Sequence, residues 1–372
     1  MAFKLHFTGL FAASLLLWAC QPEKPAPDAS TEPSANASSA DHQMPEMSAA
    51  DQKLWKQATA VFKPLPDAPA SPVANPTTPE KVALGKMLFH DPRLSKSGAF
   101  SCNSCHNLAS YGVDNRPTSI GHGFQTGTRN SPTVYNADYQ LAQFWDGRAA
   151  DLEAQAEGPI LNPVEMAIPH EDLAVERIRS IPEYQQAFAS AFAGEPEALT
   201  YKNIARAIAT FERTLITPAP FDAFLKGDGQ ALNAAQKKGL QRFMANGCTA
   251  CHTGIGVGGQ MYQKFGLVQP YPHQKDTGRF ETTGEATDKY FFKVPVLRNV
   301  TRTYPYFHDG KVWELEEAVR IMGKIQLGKD LPAEDVEAIV TFLESLTGKV
   351  PEAALTLPVL PPSKADTPRP EI

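Results

Sequence analysis

The sequence predicts a mainly α protein built from two similar domains related by duplication. Three observations carry that reading. First, Ala207-Ile208-Ala209-Thr210-Phe211-Glu212-Arg213-Thr214-Leu215 matches Ala338-Ile339-Val340-Thr341-Phe342-Leu343-Glu344-Ser345-Leu346, and both place apolar residues at helical spacing. Second, Phe144-Trp145-Asp146-Gly147 before Asp151-Leu152-Glu153 has a counterpart in Phe307-His308-Asp309-Gly310 before Glu314-Leu315-Glu316. An Arg-Asn pair precedes each turn, Arg129-Asn130 in one copy and Arg298-Asn299 in the other. Third, four of the five cysteines form two identical Cys-x-x-Cys-His motifs, one per copy. Such self-similarity sets the architecture before any single element is considered.

Taken in order, residues 1–20 read as an export signal. Lys4 gives a positive start, and Phe7–Ala19 is an apolar run of 13 residues, too short to span a membrane. Leu17-Trp18-Ala19-Cys20 resembles a bacterial lipobox, with Trp18 where a small or aliphatic residue is usual. It points to lipidation of Cys20; a signal cut elsewhere is the alternative. Gln21 in place of aspartate favours the outer membrane. Residues 21–50 are rich in Pro, Ala and Ser and read as a disordered tether, because they hold too little apolar surface to offset ordering entropy. Eleven of the 32 prolines lie in 21–80 and six in 351–372, so the proline excess belongs to the ends and not to the core. The domains are then expected at 51–218 and 219–350, with a flexible tail at 351–372. A net charge of −6 and the lack of any dense Lys/Arg block give no footprint for nucleic acid.

Each copy opens on a helix. Thr78-Pro79-Glu80 offers an N-cap with proline at the first helical position, and Asn233-Ala234-Ala235 starts a helix that reaches Gly247. The Cys-x-x-Cys-His motif, long loops, the Asp-Gly turn, a short helix and a closing amphipathic helix follow in both. Strand patterns are scarce, Phe291–Leu297 being the best. Loops of this length signal function or an organising ligand.

Cys102-Asn103-Ser104-Cys105-His106 and Cys248-Thr249-Ala250-Cys251-His252 are attachment motifs for c-type haem. Two thiols add to the porphyrin vinyl groups and the adjacent imidazole becomes the proximal iron ligand. The alternatives are a redox Cys pair, a zinc site or disulfides. Zinc does not explain a histidine after each pair. The fold class sharpens accordingly to two c-type-cytochrome-like haem domains.

The sixth iron position decides whether such a protein only carries electrons or also does chemistry. In the second copy Met322 sits in Arg320-Ile321-Met322-Gly323, read as a loop between two helices. A thioether there raises the haem potential. At the corresponding stretch the first copy has Asn162-Pro163-Val164-Glu165-Met166, where Glu165 is a candidate acid/base for peroxide; an ordinary exposed glutamate is the alternative. His122 lies among three glycines, Gly121, Gly123 and Gly127, on a flexible loop suited to reversible iron binding, or to simple solvation.

Across residues 78–348 these motifs resemble the bacterial di-haem cytochrome c peroxidase family. The resemblance rests on Asp91-Pro92-Arg93-Leu94-Ser95, both Cys-x-x-Cys-His motifs, Arg129-Asn130-Ser131-Pro132-Thr133, Phe144-Trp145-Asp146-Gly147-Arg148-Ala149, Asn162-Pro163-Val164-Glu165-Met166 and Pro305-Tyr306-Phe307-His308-Asp309-Gly310. It implies a low-potential peroxidatic haem on His106, with His122 as detachable ligand, Glu165 as acid/base and Gln155 nearby. It implies a high-potential haem on His252 and Met322, with Trp145 on the electron path between them; core packing is the plainer reading of Trp145. It further implies a calcium ion held by Asn130 and the carbonyls of Thr303 and Pro305, hydrogen peroxide as substrate, and a small cytochrome c or cupredoxin as donor. A homodimer in the periplasm, touching the membrane only through the Cys20 anchor, completes the picture. His90 stands where relatives usually carry an aromatic residue and is read as structural. Two other functions fit parts of the pattern. One is a di-haem electron carrier without catalysis. The other is a di-haem enzyme that oxidises a partner protein's tryptophan; those carry an axial tyrosine where this chain has Met322.

Overall fold

The computed structural model describes residues 47–371. The signal segment, Cys20 and most of the tether lie outside the described residues. Helix α1 (Ala49–Val61) is capped by Ser48, whose Oγ accepts from Asp51 N at 3.1 Å. The boundary expected at 51 assigns α1 to the first domain, yet Leu54, Ala58 and Phe62 pack with Phe221, Phe243 and Phe342 of the second. The Trp55 indole donates to Leu225 O at 3.1 Å, also in the second. Apolar spacing shows that a helix has a buried face but not which core buries it.

The first lobe contains α2 (Pro79–His90), a single turn α3 (Cys102–Cys105), α4 (Leu152–Leu161), α5 (Glu171–Arg179), α6 (Pro182–Ala191) and α7 (Tyr201–Arg213). Thr78 caps α2 with proline at its first position, as expected, and His90 ends it, its Nδ1 on Lys86 O at 2.9 Å. Helix α7 runs through the middle, buried along most of its length.

The second lobe contains α8 (Pro220–Leu225), α9 (Ala234–Asn246), β1 (Tyr262–Lys264), α10 (Phe280–Thr283), β2 (Phe291–Lys293), α11 (Leu315–Leu327) and α12 (Ala333–Glu344). Asn233 caps α9, and Gly247 at φ 97° ends it. The two strands pair antiparallel with Tyr262 opposite Lys293. One difference from expectation is functional: Met322 lies inside α11 and not in a loop. The helix continues through Gly323 because a Cβ there would meet Leu331 Cγ at 2.7 Å, so the returning chain packs where a side chain would stand.

The duplication is visible in contacts. A Cβ on Gly85 of α2 would collide with Ala207 O of α7, and one on Gly239 of α9 would collide with Ala338 O of α12. Ala207 and Ala338 are the residues the repeat aligned. The two Phe-x-Asp-Gly turns share a backbone: Phe144 and Phe307 have φ 65° and 69°, Gly147 and Gly310 φ 68° and 60°. The Asn299 counterpart, however, is Asn136 and not Asn130. Asn136 N donates to Leu215 O and Asn299 N to Leu346 O, both residues have positive φ, and both side-chain amides donate to Thr217 Oγ1 between the lobes, at 2.8 and 2.9 Å. Asn136 to Asn299, Phe144 to Phe307 and Gly147 to Gly310 all span 163 residues. The same spacing pairs Met322 with Pro159, inside α4.

The tail expected to be flexible returns across the first lobe. Helix α13 (Glu352–Leu355) places Ala354 in the first core, and the backbone beyond it bonds to Arg93, Lys96 and Arg177.

Candidate active site

Each Cys-x-x-Cys-His motif opens into its own cavity. Cys102, Cys105 and His106 line one of about 500 Å³; Cys248, Cys251 and His252 line another of about 220 Å³. The four thiols are unpaired. Burial pushes Cys105 and Cys248 each up to about 11 and Cys102 higher. A raised thiol disfavours the thiolate that a redox-active Cys pair uses. Among the described residues no three His, Cys, Asp or Glu side chains converge on a metal-sized point, which removes the zinc reading.

The residues fit covalent haem. Beyond paired thiols on a cavity wall, His106 Nδ1 lies 3.4 Å from Gly112 O and His252 Nδ1 lies 3.3 Å from Val257 O. An Nδ1–H donating to a carbonyl fixes the tautomer and leaves Nε2 as the free ligand atom. Burial lowers both imidazoles, His252 to about 4, keeping them in the neutral form that binds metal.

Around the first cavity stand Glu165, Gln155, Pro159, Arg148 and Met166. Gln155 and Pro159 are one turn apart on α4 and share its face. Glu165 sits in the turn after α4, with Oε1 accepting from Asn162 Nδ2 at 2.9 Å. Its proton affinity is raised, first by burial, against the opposing charge of Arg148 and the Asn162 hydrogen bond. A carboxyl with raised proton affinity on a cavity wall is a candidate for proton transfer. His122 does not line this cavity, although its neighbours Gly121 and Thr126 do. Its loop is fastened to the Glu165 turn: His122 N donates to Glu165 O at 2.8 Å, and a Cβ on Gly121 would lie 2.7 Å from the same oxygen. The His122 Nδ1 is buried without a hydrogen-bond partner.

Met322 and His252 line the second cavity together. Its spacing counterpart Pro159 lines the first, so the first lobe has no thioether at the equivalent place. Trp145 lines both cavities and donates from Nε1 to Asn130 O at 2.8 Å. Asn130, Thr303 and Pro305 all line the second cavity. Asn130 N donates to His308 O at 2.7 Å, and Asn130 Nδ2 to Arg116 O at 2.9 Å.

Sequence reasoning missed several charged neighbours. Arg148, in the motif Phe144-Trp145-Asp146-Gly147-Arg148-Ala149, faces Glu165 electrostatically; its place in the motif was the available signal. Glu212 on α7 is 5% exposed, lines the first cavity, and is pushed by burial to about 8. Lys293 on β2 lines the second cavity, contacts Gln140 Oε1, and is lowered by burial to about 7. Neither carries a sequence signal, because both lie inside runs read as helix or strand core.

Comparison with known proteins follows the same division. A family model described as di-haem cytochrome c peroxidase matches residues 79–230, and one described as cytochrome c matches 236–347. The chain is 52% identical over 322 residues to the cytochrome c551 peroxidase of Pseudomonas aeruginosa, covering 85% of this chain and 92% of that protein. It is 50% identical over 305 residues to the cytochrome c551 peroxidase of Nitrosomonas europaea, covering 81% and 90%. Among solved structures, a MauG-like protein associated with microbial copper homeostasis matches with a TM-score of 0.68 at 28% identity, covering 79% of this chain and 97% of that one.

Proposed function

The chain belongs to the di-haem cytochrome c peroxidase family, oxidoreductases acting on hydrogen peroxide, and from that premise we propose that it reduces hydrogen peroxide to water at the first lobe with electrons that enter at the second. The net reaction takes one peroxide, two electrons and two protons to two waters. Cys102, Cys105 and His106 would hold one haem, and Cys248, Cys251 and His252 the other, with Met322 on the wall of the second cavity as a further candidate ligand. When bound, each haem supplies an iron that carries electrons, and an open sixth position allows peroxide O–O cleavage.

The rest is done by side chains. Glu165 in its carboxylate form takes the proton from one peroxide oxygen and returns it to the other, which leaves as water. The charge of Arg148 favours the carboxylate form of Glu165, against the burial that favours the acid. Gln155 presents an amide to the same space. The His122 loop, tied to the Glu165 turn by His122 N on Glu165 O and by Gln125 Nε2 on Pro163 O, is the element that would bind or leave the first iron. Trp145, on both cavity walls, is the path between the lobes. Asn130, Thr303 and Pro305, which line one cavity, would be the residues to hold a calcium ion through neutral oxygens. The donor is a small cytochrome c or cupredoxin. The signal-like N-terminus supports a periplasmic location with a lipid anchor on Cys20, and a homodimer is the proposed assembly; no helix among the described residues is long and apolar enough to cross a membrane.

The observation that carries the reading is a half-buried Glu165 of raised proton affinity on the cavity wall that His106 also lines. The test is peroxide-dependent oxidation of a reduced small cytochrome c by the di-haem protein. Glu165→Gln slows it by about 10²–10⁴-fold with both haems retained. A reduced protein that oxidises no donor in the presence of peroxide is a carrier, and the reading fails. The tryptophan-oxidising alternative is disfavoured by Met322, which stands where those enzymes resemble one another in carrying tyrosine.

A further inference from the structure

Arg177 on α5 is 1% exposed. Among the described residues its four hydrogen bonds all go to backbone carbonyls, and its Nε has no partner. Burying a cation without a counter-ion is costly, so packing alone would place an apolar residue here. What the guanidinium gains is reach. Nη1 donates to Arg93 O at 3.2 Å and Ser95 O at 2.5 Å; Nη2 donates to Lys96 O at 3.1 Å and Arg369 O at 2.9 Å. One planar fork thus joins the segment before the first Cys motif to the C-terminal tail.

Both ends of this junction continue. Lys96 N donates to Met166 O at 2.7 Å, one residue beyond Glu165, and Glu165 O accepts from His122 N. On the other side, Glu371 N donates to Lys96 O at 2.9 Å, and Ser180 Oγ shares a 2.7 Å hydrogen bond with Thr367 Oγ1. Arg93 Nη1 donates to Pro361 O at 2.8 Å. The tail arrives from the second lobe, where Lys349 N donates to Pro218 O at 3.1 Å just after α12. A continuous line of backbone hydrogen bonds therefore runs from the tail, through Lys96, to the Glu165 turn and the His122 loop.

We propose that Arg177 and the C-terminal segment 361–371 form a clamp that positions the Glu165 turn and the His122 loop, with Arg177 as a positioning residue and not a catalytic one. The proposal rests on the acid/base reading of Glu165 only for its kinetic consequence. It is tested on the di-haem protein shortened to end at Leu360. Amide hydrogen exchange accelerates at least about tenfold in 93–101, 120–126 and 160–168, while α9 and α12 exchange as before. Turnover of peroxide falls about tenfold through loss of orientation, with the KM for the donor unchanged. Unchanged exchange in 120–126 and 160–168 overturns the clamp. Where the shortened chain fails to load both haems, Arg177→Lys, which keeps the charge but spans fewer carbonyls, carries the same measurements. Should Glu165→Gln in the intact chain keep its full rate while exchange still accelerates on shortening, the clamp stands and the acid/base reading falls.

Discussion

Glu165 and Glu212 face one cavity and differ in what each touches. Both are pushed up by burial, but Glu165 is restrained by Arg148 and by the Asn162 hydrogen bond. For Glu212 the charge of neighbouring Arg213 opposes burial only in part, since the Arg213 guanidinium is committed to Glu153 and Asp138. Glu212 therefore reaches about 8 from an ordinary 4.5 and is neutral at pH 7 in the folded chain. The folded state then holds a proton that the unfolded state has lost, so stability falls as pH rises from about 4.5 to about 8. By pH 7 the cumulative cost is about 3 kcal/mol. Glu212→Gln keeps the shape and removes the titration. Its stability relative to the unsubstituted protein should rise steadily between pH 5 and pH 8, read from thermal melts across that window; a constant difference would place the charge elsewhere.

At the scale of elements, the fold rests on two helix crossings where glycine lets backbones touch, α2 on α7 and α9 on α12. Gly239→Ala drives a methyl into Ala338 O and toward Phe342 Cβ at 2.8 Å. The crossing must open, at about 1–3 kcal/mol, which a denaturant melt of the di-haem protein resolves. A surface Gly→Ala such as Gly194, whose added Cβ meets nothing within 4 Å but sits at φ 90°, isolates the backbone contribution from the contact. The caps and the repeat made these helices legible beforehand: Thr78, Asn233 and Gly247 hold the positions their chemistry predicts. The misreadings have physical causes. Arg320-Ile321-Met322-Gly323 reads as a loop between helices, yet Leu331 packs against the bare Gly323 backbone and Met322 rides inside α11. The proline-rich tail looked free, yet buried Arg177 and half-buried Arg93 accept its carbonyls as partners, and no side-chain pattern in a segment reports where its carbonyls go. The motif residues of the site were readable because haem attachment fixes type and spacing together. Glu212, Lys293 and the partners of Arg129 were not, because their roles arise only once distant segments meet.

For the whole molecule, the lobes are joined by a charge network beside the first cavity. Arg129 of the first lobe donates to Asp146 at 2.5 Å within its own lobe, and bidentately to Asp276 of the second at 2.6 and 2.8 Å. It also reaches Glu281 at 3.1 Å. The segment that carries Asp276 continues into α10, whose Glu281 and Thr282 line the first cavity, so this ion pair holds a piece of the second lobe against that cavity. Side chains of Arg129 and Asp276 are each 13% exposed, too little for solvent to screen the pair away. Burial raises the Asp276 carboxyl, but the Arg129 hydrogen bond, the Gly278 amide and the Arg129 charge together hold it below the usual 3.8. A depressed carboxyl stabilises the folded state above its unfolded value and loses that contribution as pH falls through the folded one. Asp276→Asn keeps an oxygen for Gly278 N but removes the charge, leaving Arg129 with Asp146 and Glu281. The expected cost is on the order of 1–3 kcal/mol at pH 7. The gap between variant and unsubstituted protein should narrow when melts are repeated at pH values falling below the ordinary 3.8, as the carboxylate of the unsubstituted protein is lost. Limited proteolysis gives the spatial half of the test: cleavage within 273–289 should accelerate in Asp276→Asn at pH 7 and not in a variant of the exposed Lys226–Asp67 pair. Equal protection of that segment in both would mean the lobes are held by Thr217 and the packed loops around it, and not by charge.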